Sequence, residues 1–139
     1  MPAEPVKQAD MAEENNMKQT ILLQIDASGS MLYAELADTR AALALKEKLE
    51  QGSITIDVSD YEHWEKVGSL PWSLPTDDVQ TKAVPGDIML FMGKSFVIFY
   101  GNNDWAYTRL GRVIDKTDEE IQKILGQDLT QLALSLTEK

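Results

Sequence analysis

The stretch DIMLFMGKSFVIFYG, residues 87–101, constrains the fold of this chain more than any other. Two apolar runs flank Gly93-Lys94, a Gly-X pair suited to a type II′ turn, so the stretch predicts a β-hairpin. Both runs are apolar at odd and even positions alike. A strand of that kind is covered on both faces: one face lines a core, and the other lies under a helix or another layer, a helix being the expected shield. The hairpin therefore belongs in the wall of a curled, enclosed sheet.

The remaining segments supply the rest of such a wall. Ile21, Leu22, Leu23 and Ile25 form an apolar run that ends at DASGS. Ser28-Gly29 accepts positive φ, as a tight hairpin into MLYAEL requires. Asp38 is the expected cap of a helix over TRAALALKEKLEQ, where Ala42, Leu45 and Leu49 share a stripe and Gly52 offers a left-handed stop. In SITIDVSD, Ile54, Ile56 and Val58 alternate with Thr55, Asp57 and Ser59, the two-residue period of a strand with one buried face. WAYTRLGRVID reads as a further strand. Thr117 and Glu120 make a capping box for DEEIQKIL, which Gly126 closes and Ile121, Ile124 and Leu125 anchor. DLTQLALSL reads as a last strand, with Leu129, Leu132 and Leu134 alternating imperfectly. Seven or more strands joined largely by hairpins, with two short helices, predict a mainly β fold: a small closed or nearly closed β-barrel, which removes exposed edges by curling shut.

A chain of 139 residues suits one domain. Residues 1–18 are polar and aperiodic and read as a flexible leader, leaving 19–139 as the single barrel domain. The net charge of -10 opposes attraction to phosphate backbones and anionic lipid, so neither nucleic acid nor membrane is an expected partner. With no cysteine, disulfides, thiolate metal sites and cysteine nucleophiles are all excluded. The segment MPAEPVKQADMAEENNMKQ lacks an apolar core of the kind export signals carry, and a cytoplasmic location is expected.

The order of motifs resembles the small prokaryotic cyclophilin-like proteins, β-barrels related in shape to prolyl isomerases and of undetermined activity. The resemblance spans roughly residues 19–136. It rests on the first hairpin and helix, then YEHWEKVGSLPWSLP, PGDIMLF, FVIFYG and YTRLGRV in that order. It implies the barrel architecture and a site corresponding to a cyclophilin's peptide groove. The Gly-rich run around an asparagine and the arginine-phenylalanine-glutamine grouping of true cyclophilins are missing, so the resemblance carries no isomerase activity with it.

Among side chains that carry chemistry, arginine matters most, because a cationic donor aimed at a twisted prolyl amide in a dry cleft lowers a barrier of roughly 20 kcal/mol. Of three arginines, Arg40 reads as a solvated helix charge. Strict alternation along WAYTRLGRVI sends Trp105, Tyr107 and Arg109 to one side and Leu110, Arg112 and Ile114 to the other. The first row has two readings: surface packing with a cation laid along it, or a ligand-facing patch. Arg112, sharing a face with apolar neighbours, needs a carboxylate, and Glu65 and Asp87 are the candidates for a structural ion pair. His63 is the sole histidine and no metal centre is expected. No phosphate loop, dinucleotide fingerprint or nucleophile elbow occurs, so no cofactor is expected. The six methionines read as core filler.

Leu-Pro repeats at 70–71 and 74–75 hold Leu70, Trp72 and Leu74 in extended geometry, a semi-rigid flap that either plugs a barrel end or borders a groove. Tyr61, Trp64, Tyr100, Tyr107 and Arg109 are the candidate border of that groove. The resulting expectation is a protein that binds a peptide or small molecule, with a prolyl isomerase and a protein-docking accessory module as alternatives.

Overall fold

The computed structural model describes residues 20–138; the polar leader over 1–18 lies outside the described residues. The first hairpin pairs β1 (Ile21–Ala27) with β2 (Ser30–Leu36), and its two turn residues, Ser28 and Gly29, both have positive φ. The backbone N–H of Gly29 donates to Asp26 Oδ1 at 2.7 Å. Helix α1 (Arg40–Leu49) follows, capped by Thr39 rather than Asp38. Thr39 Oγ1 accepts from the Ala42 N–H at 3.0 Å and donates to the Arg109 carbonyl at 2.8 Å, so the cap also ties the helix to the sheet. That second bond joins residues 70 apart in sequence, which local capping rules do not weigh.

Strands β3 (Ile54–Asp57), β4 (Ser59–Tyr61), β5 (Glu65–Ser69), β6 (Val79–Ala83), β7 (Asp87–Phe91), β8 (Ser95–Phe99), β9 (Asn103–Val113) and β10 (Gln131–Glu138) complete the sheet, with α2 (Asp118–Leu125) before the last. The strand order is β3-β10-β1-β2-β9-β7-β8-β5-β4, and β6 pairs with β9 off that path. The sheet is not closed by hydrogen bonds. Its edge strands β3 and β4 are nonetheless one stretch of chain, separated only by Val58, whose N–H donates to the Thr130 carbonyl at 2.9 Å. The backbone itself spans the gap. At this seam β5 approaches so closely that a Cβ on Gly68 would lie 2.3 Å from the Asp57 carbonyl oxygen and 2.8 Å from Val58 Cγ1.

The apolar β7–β8 hairpin stands in the wall with both faces buried. Ile88, Leu90, Phe96 and Ile98 enter the main core, where Leu23, Ile25 and Leu32 meet Leu45 and Leu49 of α1 and Ile121 and Leu125 of α2. Met89, Val97 and Phe99 point outward into a second cluster with Ala83 and Tyr107. A helix was the expected shield for that outer face. The cover is instead the ribbon of β6 and the first half of β9, both helices packing on the main core. The turn also sits one residue earlier than Gly93-Lys94: positive φ falls on Met92 and Gly93. Met92 and Met31 lie exposed beside turns while Met89 is fully buried, so only one of these three fills core.

The Leu-Pro segment plugs the barrel. Leu70 and Leu74 are buried in the main core, with their N–H groups donating to the Lys94 and Gly93 carbonyls at 2.8 Å each. Arg40 grips the end of the segment through a two-pronged contact with Asp77, 2.9 Å on each prong. On α2 the capping box of Thr117 and Glu120 forms as expected.

Candidate functional site

Chemistry concentrates on the outer face of β4, β5, β7, β8 and β9. Its first element is a bulge. Opposite β7, Ile88 pairs with Gly111 and Met89 with Arg109, leaving Leu110 as an extra residue in β9. Leu110 and Gly111 therefore both face the main core, and a Cβ on Gly111 would lie 2.3 Å from the Glu35 carbonyl oxygen, so only glycine fits. The phase of the strand reverses there. Arg112, which strict alternation assigns to the face of Leu110, emerges beside Arg109. Both Nη1 atoms donate to Asp87 Oδ1, Arg109 at 3.0 Å and Arg112 closer still. Asp87 Oδ2 accepts from the Val84 N–H at 3.0 Å. Asp87 is buried, while the side chains of Arg109 and Arg112 keep 38% and 48% exposure, so both guanidiniums remain reachable from solvent.

The second element is an aromatic corner with an acid beneath it. The β4–β5 turn is built from Glu62 and His63, both at positive φ, a conformation that costs non-glycine residues about 1–2 kcal/mol each. It sets Tyr61 and Trp64 edge to face, with ring centroids 6.0 Å apart and planes at 79°. Tyr61 pairs across the strands with Glu65, which pairs in turn with Phe99. Glu65 is only 5% exposed, and its Oε1 accepts from Trp64 Nε1 at 3.1 Å. Burial is the main reason its carboxyl is pushed up to about 7; the negative charge of Asp60 adds to the effect and the indole bond opposes it. Tyr107, packed edge-on against Phe99 and Phe91, takes a hydrogen bond from Asn103 Nδ2 at 2.8 Å, and its hydroxyl is shifted upward by burial, then by Glu65.

Of the five residues proposed as a groove border, Tyr61, Trp64, Tyr107 and Arg109 share this outer face. Tyr107 is buried in its floor rather than open to solvent. Tyr100 lies elsewhere: its ring packs against the main core, and its hydroxyl donates to Asp60. There Lys66, almost fully buried, holds Asp60 Oδ1 at 3.3 Å with its Nζ 5.9 Å from the Tyr100 ring centre. Burial would raise the Asp60 carboxyl, but bonds from Tyr100, the His63 N–H and Lys66 outweigh it and hold it below its ordinary value. The Tyr100 hydroxyl is shifted upward by burial and by Asp60. Asp60 and Lys66 escaped the sequence reading, because a lysine in a short strand signals exposure. Of the two carboxylates considered for Arg112, Asp87 meets it and Glu65 turns to Trp64.

Among the described residues, no cluster of three or more histidines and carboxylates is placed to hold a metal ion. No helix among them is long and apolar enough to cross a membrane. Three open depressions of about 340–370 Å³ lie away from the aromatic corner. One, lined by Asp26, Ser28, Thr55, Asp128 and Thr130, sits at the tip of the first hairpin; the other two flank Tyr33 and the start of α1.

Comparison with known proteins agrees with this architecture. The solution structure of the hypothetical protein AF2241 from Archaeoglobus fulgidus is similar, with a TM-score of 0.61 at 14% sequence identity, covering 84% of this chain and 94% of that one. At that identity the likeness concerns the fold alone. A search of the curated proteins finds no match. The sequence model of the Cyclophilin-like family matches residues 25–136, and the chain belongs to that family.

Proposed function

We infer that the protein binds a peptide or small apolar molecule on the outer face of β5, β7 and β8, without catalysing a reaction on it. The observation that carries this reading is the incomplete cover of the second apolar cluster. The β6–β9 ribbon buries Met89, Val97 and Phe99, but the cluster runs out to half-buried Trp64, Val67 and Phe91, and Tyr61 stands 53% exposed at its edge. Aromatic rings with an apolar body and a polar tip suit a wet rim around a dry contact. The left-handed Glu62-His63 turn adds support, since strained backbone persists where its surroundings hold a particular geometry.

The test is a resonance titration of the whole chain with short proline-containing and proline-free peptides. Saturable shifts at Tyr61, Trp64 and Phe91 are expected, with Tyr61→Ala weakening binding about tenfold, or about 1.4 kcal/mol. Peptides that leave these signals unmoved remove the reading.

A second reading, prolyl isomerisation, draws on the pair of half-exposed guanidiniums beside the same cluster. A donor aimed at the amide nitrogen is the group such catalysis needs. In a protease-coupled prolyl assay this reading requires acceleration by the parent protein that Arg109→Ala or Arg112→Ala abolishes. A parent rate equal to the uncatalysed rate eliminates it.

A further inference from the structure

We propose that Glu65, Tyr61 and Trp64 form a recognition site for an organic cation, a primary ammonium group carried by the ligand of the outer face. The inference rests on the binding reading above and narrows the ligand class.

Glu65 is a buried acid without a counter-ion. Its one protein partner among the described residues is the neutral indole N–H of Trp64, which occupies Oε1 and leaves Oε2 with no donor. A buried carboxyl in that state calls for a charged hydrogen-bond donor. The nearby cations are engaged elsewhere. Lys66, next in the chain, points to the opposite face and holds Asp60, while Arg109 and Arg112 hold Asp87.

The groups that face Glu65 are Tyr61 from β4, Trp64 from the turn, Phe99 from β8 and Tyr107 from β9, while Asp60, turned to the opposite face, reaches it only through its charge. Every one is neutral or anionic near neutral pH, so none serves as a counter-ion. Two of them are rings set at 79° to each other, a corner that offers π faces to a cation resting on the carboxylate. Tyr61 is the cross-strand neighbour over Glu65 and is mostly exposed, so reorienting its side chain admits a small ligand group on a fast timescale. The net charge of -10 attracts cations at longer range.

Binding removes the proton that burial holds on Glu65 up to about pH 7, so affinity rises with pH and then levels.

The experiment titrates the whole chain with n-butylammonium chloride, using n-butanol as the uncharged control, and follows the Trp64 indole N–H resonance. The expected result is a saturable shift with butylammonium and a response at least about tenfold weaker with butanol. The dissociation constant falls roughly tenfold for each pH unit between about pH 5 and pH 6.5 and flattens above about pH 7.5. Glu65→Gln, which retains an acceptor for the indole, loses the preference for the charged probe while its remaining spectrum stays that of the folded parent. An equal response to both probes, a pH-independent constant, or unchanged selectivity in the Gln variant overturns the proposal. Uncharged peptides saturating the Trp64 signal where butylammonium does not would leave the binding face intact and remove the cation site. Butylammonium saturating where peptides do not would uphold the cation site and remove the apolar reading.

Discussion

Replacing Glu65 by glutamine should change how the stability of this protein depends on pH, and both the size and the sign of the change follow from the site. In the unfolded chain the carboxyl gives up its proton near its ordinary 4.5, whereas in the folded protein it keeps it to about 7. Between those values the native state binds more protons than the unfolded state, so stability falls as pH rises through the window. The stabilisation is fully present below about pH 4.5 and is lost above about pH 7. A displacement of that size corresponds to at most about 3 kcal/mol. Asp60 and Asp77, whose carboxyls are held below their ordinary values, act with the opposite sign, but only in more acid solution than this window.

Glutamine carries no charge at any of these pH values and still accepts from Trp64 Nε1. Its buried NH₂ adds a pH-independent cost of about 1–3 kcal/mol, so the prediction concerns the slope rather than the offset. Urea unfolding followed by circular dichroism at intervals from about pH 5 to pH 8 should show the parent losing about 2–3 kcal/mol relative to the variant. In melting temperature, that is roughly 5–10 °C for a domain of this size. A parent whose stability stays level, or climbs, relative to Glu65→Gln across that range would refute the buried, uncompensated carboxyl on which this argument stands.

Two further predictions probe the frame around the site. Gly68→Ala should cost about 2–4 kcal/mol, because its Cβ would meet the Asp57 carbonyl oxygen at 2.3 Å and backbone at the seam must shift; a thermal melt within one or two degrees of the parent would show that β5 and the β3–β4 junction are not in close contact. Asp87→Ala should cost about 2–4 kcal/mol, somewhat less than a fully buried pair because the freed guanidiniums reach water, whereas Asp87→Asn, which retains an acceptor for the Val84 N–H, should lose about half as much; equal losses in denaturant unfolding would remove the amide contact from the account.

The sequence carried those parts of the fold whose signals are local. Ser28-Gly29 and the Thr117/Glu120 capping box fold as their residues suggest, and the doubly apolar 87–101 stretch forms the expected hairpin with its turn one residue early. Glu62-His63 did not announce a turn, since the pair lacks the glycine that marks two-residue hairpin turns, and the β4–β5 hairpin went unread. Strand β6 was missed for a related reason. Val79–Ala83 is mostly exposed, lacks an apolar alternation and takes its form from pairing with β9. Without β6, a helix was the favoured shield for the outer hairpin face over another layer. The candidate groove suffered from the same gap: Tyr107 reads as a surface aromatic until the ribbon folds over and makes it part of the floor.

The bulge at Leu110 was invisible because alternation is an assumption of unbroken pairing, and a single extra residue reverses it. Its consequence reaches the chemistry. On a regular β9, Arg112 would point with Leu110 into the main core, and Asp87 would hold one guanidinium on the outside. With Leu110 and Gly111 both turned inward, the second guanidinium emerges on the same carboxylate, and Asp87 is satisfied by two cations and an amide. Glu65, on the same outer face and equally hidden from water, has an indole and nothing more. Two acids with similar burial thus stand in opposite conditions, one neutralised within the protein and one not. That difference, rather than burial itself, makes Glu65 the group with capacity left for a ligand and Asp87 the group that organises its own surroundings.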